Sequence, residues 1–189
     1  VLVGCYDGCL YAVALSSGAV AARLQTADIV KSQPLVVRSR IWLAGHDRML
    51  HVAELVEAPA GRAEFRVLAE AALPGAVYAT PCLTADGKFI LVADLSGTLS
   101  LFSAADPTTA SSSLQPLWTH SGLAPVFSTP VALPPDPSEA ACGSSATSSG
   151  SVLVAAVNGS VVRLDLFTSG GQLCVEQRWK VDVGSPVFA

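Results

Sequence analysis

Charge is the first thing this chain has little of. Only 14% of its 189 residues are Asp, Glu, Lys or Arg, against 51% hydrophobic, and the mean hydropathy is +0.50. The 11 basic residues stand singly and the net charge is −4, so no basic stripe exists to track a phosphate backbone. Nucleic acid is not expected as a partner. Long apolar runs are missing too: no stretch of about 18 clean apolar residues occurs. Residues 140–162 carry no charge, but serine, glycine and asparagine make them too polar to span a bilayer. The only methionine is Met49, and no basic, apolar leader precedes Val1. These absences lead us to expect a segment of a longer protein, cytoplasmic and not membrane-bound.

Catalytic signatures are absent as well. Serine, histidine and aspartate are all present, but there is no Gly-x-Ser-x-Gly elbow, no phosphate loop and no dinucleotide fingerprint. No 3.6-residue periodicity is sustained, which excludes helical solenoids. Five cysteines, an odd number without paired spacing, fit buried thiols in an intracellular protein better than a disulfide scaffold.

What the chain does contain is punctuation. Val1 to Pro34 sets a template: the apolar run Val1-Leu2-Val3, then Gly4-Cys5-Tyr6-Asp7-Gly8, then the run Leu10 to Val13. Asp-Gly between apolar runs predicts a two-residue type I′ hairpin. That register sets Tyr6 opposite Cys9 and Cys5 opposite Leu10. Cys5 and Cys9 then project to opposite faces, which disfavours a disulfide between them.

The plan recurs. Closing prolines at Pro34, Pro81 and Pro130 stand 47 and 49 residues apart (81 − 34 and 130 − 81). They divide the chain into repeats of approximately 1–34, 35–81, 82–130 and 131–189. Runs such as Phe89 to Ala93 suit strands buried on both faces. A period in the forties with about four strands matches a β-propeller blade. The expected fold is all-β, a propeller of four-stranded antiparallel blades, with about four blades of a larger, incomplete ring. Such a set leaves apolar faces open at its two ends, so the chain alone is expected to aggregate or fold only in part.

The turn signature comprises Gly4, Asp7, Gly8, Gly45, Asp47, Gly97, Asn158 and Gly159. Asp7-Gly8, Ser96-Gly97 and Asn158-Gly159 each sit between apolar runs. Asp47-Arg48 departs from them, and because arginine at positive φ is costly a longer or different turn is expected there. Trp42, Trp118 and Trp179 are assigned to blade packing, with Ala22 and Ala69 standing where Trp118 and Trp179 stand in the later repeats. Ala58 to Arg62 and Ala105 to Ser113 look like enlarged loops. Residues 134–150, three prolines followed by a serine-rich tail, look like a flexible insertion.

Several candidate sites have plain alternatives. Asn158-Gly159-Ser160 matches the glycosylation sequon, but Asn-Gly is also the turn the repeat needs. His46 and His51 could share one hairpin face, and His120 stands far off in sequence. A zinc site needs three or four ligands, so no metal is expected. Asp7, Asp47 and Asp94 fall near one place in successive repeats and could ring a mouth. As turn residues they would instead accept backbone N–H groups. No catalytic, cofactor or metal residue is assigned.

The segments Val3 to Gly8, Val30-Lys31-Ser32, Gly45-His46-Asp47, Val77 to Pro81 and Pro125 to Pro130 resemble quinoprotein-type (PQQ-like) propeller repeats. More narrowly, they resemble the C-terminal propellers of beta-alanine-activating enzymes of the acyl-CoA synthetase family, also called aminoadipate-semialdehyde dehydrogenases. The resemblance implies a parent ligase with an adenylation domain and a phosphopantetheine carrier, using ATP and magnesium to load a beta-alanine-like acid. It also implies that the propeller is a non-catalytic scaffold or protein-binding module. Its partners would be the rest of its ring, those upstream domains and further proteins. Two alternatives are a PQQ-dependent dehydrogenase propeller and a bacterial outer-membrane assembly propeller. Quinone enzymes hold their cofactor with a tryptophan platform, calcium and often adjacent cysteines. Here no two cysteines are adjacent, and no cofactor is expected in this segment.

Overall fold

The computed structural model describes residues 1–58, 62–105, 112–135 and 147–188, the side chain of Ser112 excepted. No helix occurs among the described residues. β1 (Leu2–Gly4), β2 (Cys9–Val13) and β3 (Val20–Gln25) form the first sheet. β4 (Leu35–Val37), β5 (Arg40–Ala44), β6 (Met49–Ala58) and β7 (Arg62–Ala72) form the second. The third contains β8 (Cys82–Leu83), β9 (Phe89–Ala93) and β10 (Leu99–Ser103). After β10, the short β11 (Ser112–Ser113) pairs in parallel with β7, and β12 (Trp118–His120) completes the third sheet. β13 (Val131–Leu133), β14 (Thr147–Ala155), β15 (Ser160–Ser169) and β16 (Gln172–Asp182) form the fourth.

Apart from the parallel pairing of β11 with β7, each sheet is an antiparallel meander, and successive sheets stack face to face in chain order. Alternation along the strands does this. Ile41 and Leu43 of β5 face the first sheet, with Leu10 and Val30, whereas Trp42 and Ala44 face the third, with Ile90, Val92 and Phe102. Leu91, Ala93, Leu99 and Leu101 then pack against Val152, Val154, Val162 and Leu164. Strands covered on both sides explain the near-continuous apolar runs and the scarcity of charge. Each fully buried leucine contributes about 1.5–3 kcal/mol. These are four propeller-type blades.

The hairpin loops correct the expected register. Gly4 pairs with Leu10 and Val3 with Tyr11, so the first loop has three residues, Tyr6-Asp7-Gly8. Cys5 N donates to Cys9 O at 2.9 Å, Gly8 N donates to Cys5 O at 3.2 Å, and Gly8 has φ of 80°. This is the three-residue hairpin with a left-handed third residue. Cys5 and Cys9 therefore stand opposite each other rather than on opposite faces, and both remain free thiols. Asp94 to Thr98 and Ala156 to Ser160 close in the same way, with Gly97 at 79° and Gly159 at 87°.

The second loop also has this shape, against expectation. Arg48 takes the glycine position at φ of 59°, within the loop His46-Asp47-Arg48. Its carbonyl accepts Leu73 N at 2.8 Å, the bond that Gly8 O makes to Thr26 N and Gly159 O to Val183 N. That shared anchor holds the loop in one form in spite of the side chain.

The structure revises one further boundary. Thr147 to Gly150, expected within a flexible insertion, belong to β14: Thr147, Ser148 and Gly150 pair with β15 around a bulge at Ser149, which is fully buried. Serine is a poor signal for strand, yet here the ladder to Leu166, Phe167 and Thr168 holds it. The rest of that insertion overlaps residues 136–146, which lie outside the described residues, as do 59–61 and 106–111 in the two enlarged loops. Both β6 and β7 run up to that first gap as one long hairpin.

Trp42 is buried in the second core and its Nε1 has no partner. Trp118 pairs with Leu101 and stacks on half-buried His120, ring centroids 5.8 Å apart. Trp179 pairs with Arg163 on the open face of the fourth sheet. Ala22 and Ala69 pair with Ala12 and Val52, the same rung of the first two sheets.

Candidate functional site: the loop face

The four three-residue loops lie on one face of the stack, and the linkers between blades run beside them. The linkers Val30-Lys31-Ser32, Val77-Tyr78-Ala79 and Val126-Phe127-Ser128 follow one pattern. Val30, Val77 and Val126 are buried and donate their N–H groups back to their own blade's loop, to Cys5 O (3.0 Å), Gly45 O (2.9 Å) and Asp94 O (3.3 Å). The next blade's loop reaches the residue before: His46 N bonds Ile29 O, Leu95 N bonds Ala76 O, and Val157 N bonds Pro125 O. Each linker is thus held by two blades at once. Ser32 and Ser128 add hydroxyl bonds to Ala44 O and Ala155 O of the following blade.

Burial of the valine turns its neighbour outward. Lys31, Tyr78, Phe127 and Phe188 occupy the same linker position and form a continuous row. Lys31 Nζ lies 4.9 Å from the Tyr6 ring centre and 5.0 Å from that of Tyr78. Tyr78 meets Phe127 edge-on at 5.4 Å, and Phe127 meets Phe188 at 6.0 Å. His46 joins from the second loop, 6.3 Å from Tyr78. Tyr6 and Phe188, at the two ends, are 68% and 66% exposed, and the residues between them are partly exposed. Sequence reasoning used these residues only as repeat markers. The signal was available: the residue after the buried valine in each closing motif.

The aspartates do turn work. Asp7 Oδ1 accepts Cys9 N at 3.0 Å, Asp47 Oδ1 accepts Met49 N at 3.1 Å, and Asn158 Oδ1 accepts Ser160 N at 3.1 Å. Asp94 sits two residues earlier in its loop and accepts Ser96 N, Thr98 N and Gly75 N. The shared position therefore holds Asp7, Asp47, Ser96 and Asn158, not Asp94. Gly4 stands two residues before the first loop and Gly45 immediately before the second. A β-carbon on Gly4 would collide with Val30, so glycine there lets the linker approach.

His46 and His51 do not share a site. His51 Nε2 is 2.9 Å from Asp47 Oδ2 and its Nδ1 is 2.8 Å from Glu70 Oε1. Burial alone would lower the imidazole pKa, but the bonds to Asp47 and then Glu70 outweigh it and the pKa is raised. The Asp47 carboxyl is pushed up by burial and pulled down further by His51, with a net lowering. With both ring nitrogens held by carboxylates, His51 is a structural clamp and not a base facing a substrate. Among the described residues no group of three or more His, Cys, Asp or Glu side chains is arranged to hold a metal ion.

On the first blade, Tyr11 donates to Asp7 Oδ2 at 2.5 Å, which lowers the Asp7 pKa and holds the phenol up at about 12. Arg23 Nε donates to Cys9 Sγ at 3.0 Å, and Cys9 Sγ donates to Gln25 Oε1 at 3.2 Å. Cys9 is fully buried. A groove of about 700 Å³ lies between Val1 to Gly4 and Lys31 to Pro34, along the open edge of β1.

Comparison with known proteins fits this architecture. No family model matches the chain, and no curated protein does. Among solved structures it is similar to BamB from Moraxella catarrhalis, with a TM-score of 0.62 at 16% identity. The likeness covers 96% of this chain and 45% of that one, so the chain spans less than half the length of that relative. The fold is a β-propeller. In all, 305 solved chains match, so the architecture is widely shared and selects no function by itself.

Proposed function

We propose that this chain is the interaction module of a larger protein and that its loop face is the binding surface. The observation that carries the reading is the row from Lys31 through Tyr78 and Phe127 to Phe188, aromatic side chains left partly exposed by a rigid, doubly bonded linker. Partly exposed aromatic side chains on a fixed frame are the usual anchors of protein recognition. The end sheets carry exposed apolar side chains, Val1 and Val3 at one end and Trp179, Val181 and Val183 at the other. Further blades of the same ring are the partners we assign to them. The four described cysteines are all free thiols, which supports an intracellular setting.

The finer reading of the parent rests on the sequence resemblance alone: an ATP-dependent adenylating ligase with a phosphopantetheine carrier, activating a beta-alanine-like acid. An adenylation and carrier domain in the full-length sequence would support it. A propeller of outer-membrane assembly is the second reading, favoured by the likeness to BamB, and a lipoprotein signal in the full-length sequence would support it. Two measurements test the module itself. Photo-crosslinkers placed at Tyr6 and at Gly171, on opposite edges, should give discrete protein adducts from Tyr6 only. Adducts only from Gly171 would move the surface to the other edge. Incubation of the full-length protein with PQQ and calcium should give no dye-linked dehydrogenase activity, and activity would replace a binding module with an oxidoreductase.

A further inference from the structure

We infer that the partner of the loop face is a short, extended peptide segment with a carboxylate at one end of a run of apolar side chains. This rests on the interaction reading above. Lys31 supplies the polarity. Its ammonium sits between the Tyr6 and Tyr78 rings and forms no ion pair among the described residues. A half-buried cation with only ring faces for company gains a charge-assisted bond when a carboxylate arrives. At the other end of the row stand Phe127 and Phe188, which suit apolar side chains.

The same geometry disfavours other ligands. The space between Tyr6 and Tyr78 is already filled by a cation, so the rings do not form a cage for a cationic ligand. Stacked aromatics with a lysine could also receive single-stranded nucleic acid. However, Asp7 and Asp28 are exposed on this face, beside Tyr6 and the first linker, and a run of phosphates would meet them. A single carboxylate needs only Lys31 and carries less charge past those aspartates than a run of phosphates. Five residue steps, at about 3.4 Å each, cover the row from Lys31 to Phe188.

The probes are the acetylated, amidated peptide Asp-Phe-Ser-Phe-Ser-Phe, its counterpart beginning with Asn, and a six-nucleotide oligothymidylate. They are titrated calorimetrically against the protein carrying these blades. The Asp peptide should bind at least about tenfold tighter than the Asn peptide, a difference equal to one well-placed charge-assisted bond. Lys31→Gln should reduce that ratio to below about twofold, and Lys31→Arg should keep it. Phe127→Ala should weaken both peptides about equally, and circular dichroism of each variant shows whether the blades remain folded. Equal binding of the two peptides, or an unchanged ratio in Lys31→Gln, overturns the inference, as does preferential binding of the oligothymidylate. If crosslinking from Tyr6 succeeds while the peptides fail to discriminate, only the partner class falls. If both fail, the interaction reading falls with it.

Discussion

Gly97 accepts a backbone bond from Leu123 and leaves room for its carbonyl. Leu123 N donates to Gly97 O at 3.2 Å, while Leu123 O fills the space where a β-carbon on Gly97 would stand. Gly97 also has φ of 79°. Gly97→Ala should therefore destabilise the blades by about 2–4 kcal/mol, since the left-handed cost of about 1–2 kcal/mol adds to a backbone collision. Gly18→Ala is the control, with φ of 70° and nothing within 4 Å. It should cost no more than about 1–2 kcal/mol. Thermal unfolding of the two variants decides, and equal losses would contradict the collision.

Arg48 is the reverse case. Its side chain is exposed and its φ of 59° is one that arginine adopts at a cost. Arg48→Gly keeps the Leu73 bond to the backbone and should stabilise by about 0.5–1 kcal/mol, the left-handed strain less the entropy that glycine adds to the unfolded chain. A fall in the unfolding midpoint would mean that the arginine side chain holds the loop.

The His51 clamp sets a pH dependence. The folded imidazole pKa is raised above its usual 6.5, so this contribution is fully present below pH 6.5 and is lost as pH rises through the folded value. Asp47 has a lowered pKa, so its contribution is present above pH 3.8 and is lost as pH falls through the folded value. Stability from this pair should be greatest between those limits. His51→Gln should flatten the decline above pH 6.5, as read from unfolding midpoints between pH 5 and 9. Asp47→Asn keeps the turn acceptor for Met49 N, yet should lower the imidazole pKa in NMR titration.

Ser32 and Ser128 make equivalent bonds from a linker to the next blade, to Ala44 O and Ala155 O. Each Ser→Ala change should cost about 1 kcal/mol. The sites lie in different blade junctions, so the double variant should show the sum of the two losses. A loss much larger than the sum would mean that the junctions fail together.

The blade period was legible because buried valines, glycine turns and prolines mark each junction, and the run from Phe89 to Ala93 reads as a strand with two covered faces. Register was not. Asp7-Gly8 suits a two-residue loop as well as the last two places of a three-residue loop, and only the anchor from Gly8 O to Thr26 N, a distant residue, decides between them. That single step moved Cys5 opposite Cys9, and the same step in the second loop separated His46 from His51. Arg48 escaped for a related reason: a tertiary bond to Leu73 overrides a local preference. The aromatic row was unreadable as a row, because its members meet only when three blade junctions stack.

The strand ends at Ala58, Arg62, Ser103 and Thr147 lie on the edge opposite the loops. Tyr78 and Phe127 are 49 positions apart (127 − 78) and Phe127 and Phe188 are 61 apart (188 − 127), yet the ring separations change only from 5.4 to 6.0 Å. The linkers fix spacing by bonding to two loops, so the spacing of the row does not follow the length of chain between its members. A fluorophore or even a small domain placed at 59–61 should leave the loop face as it is, which gives the molecule one edge free to change and one held constant.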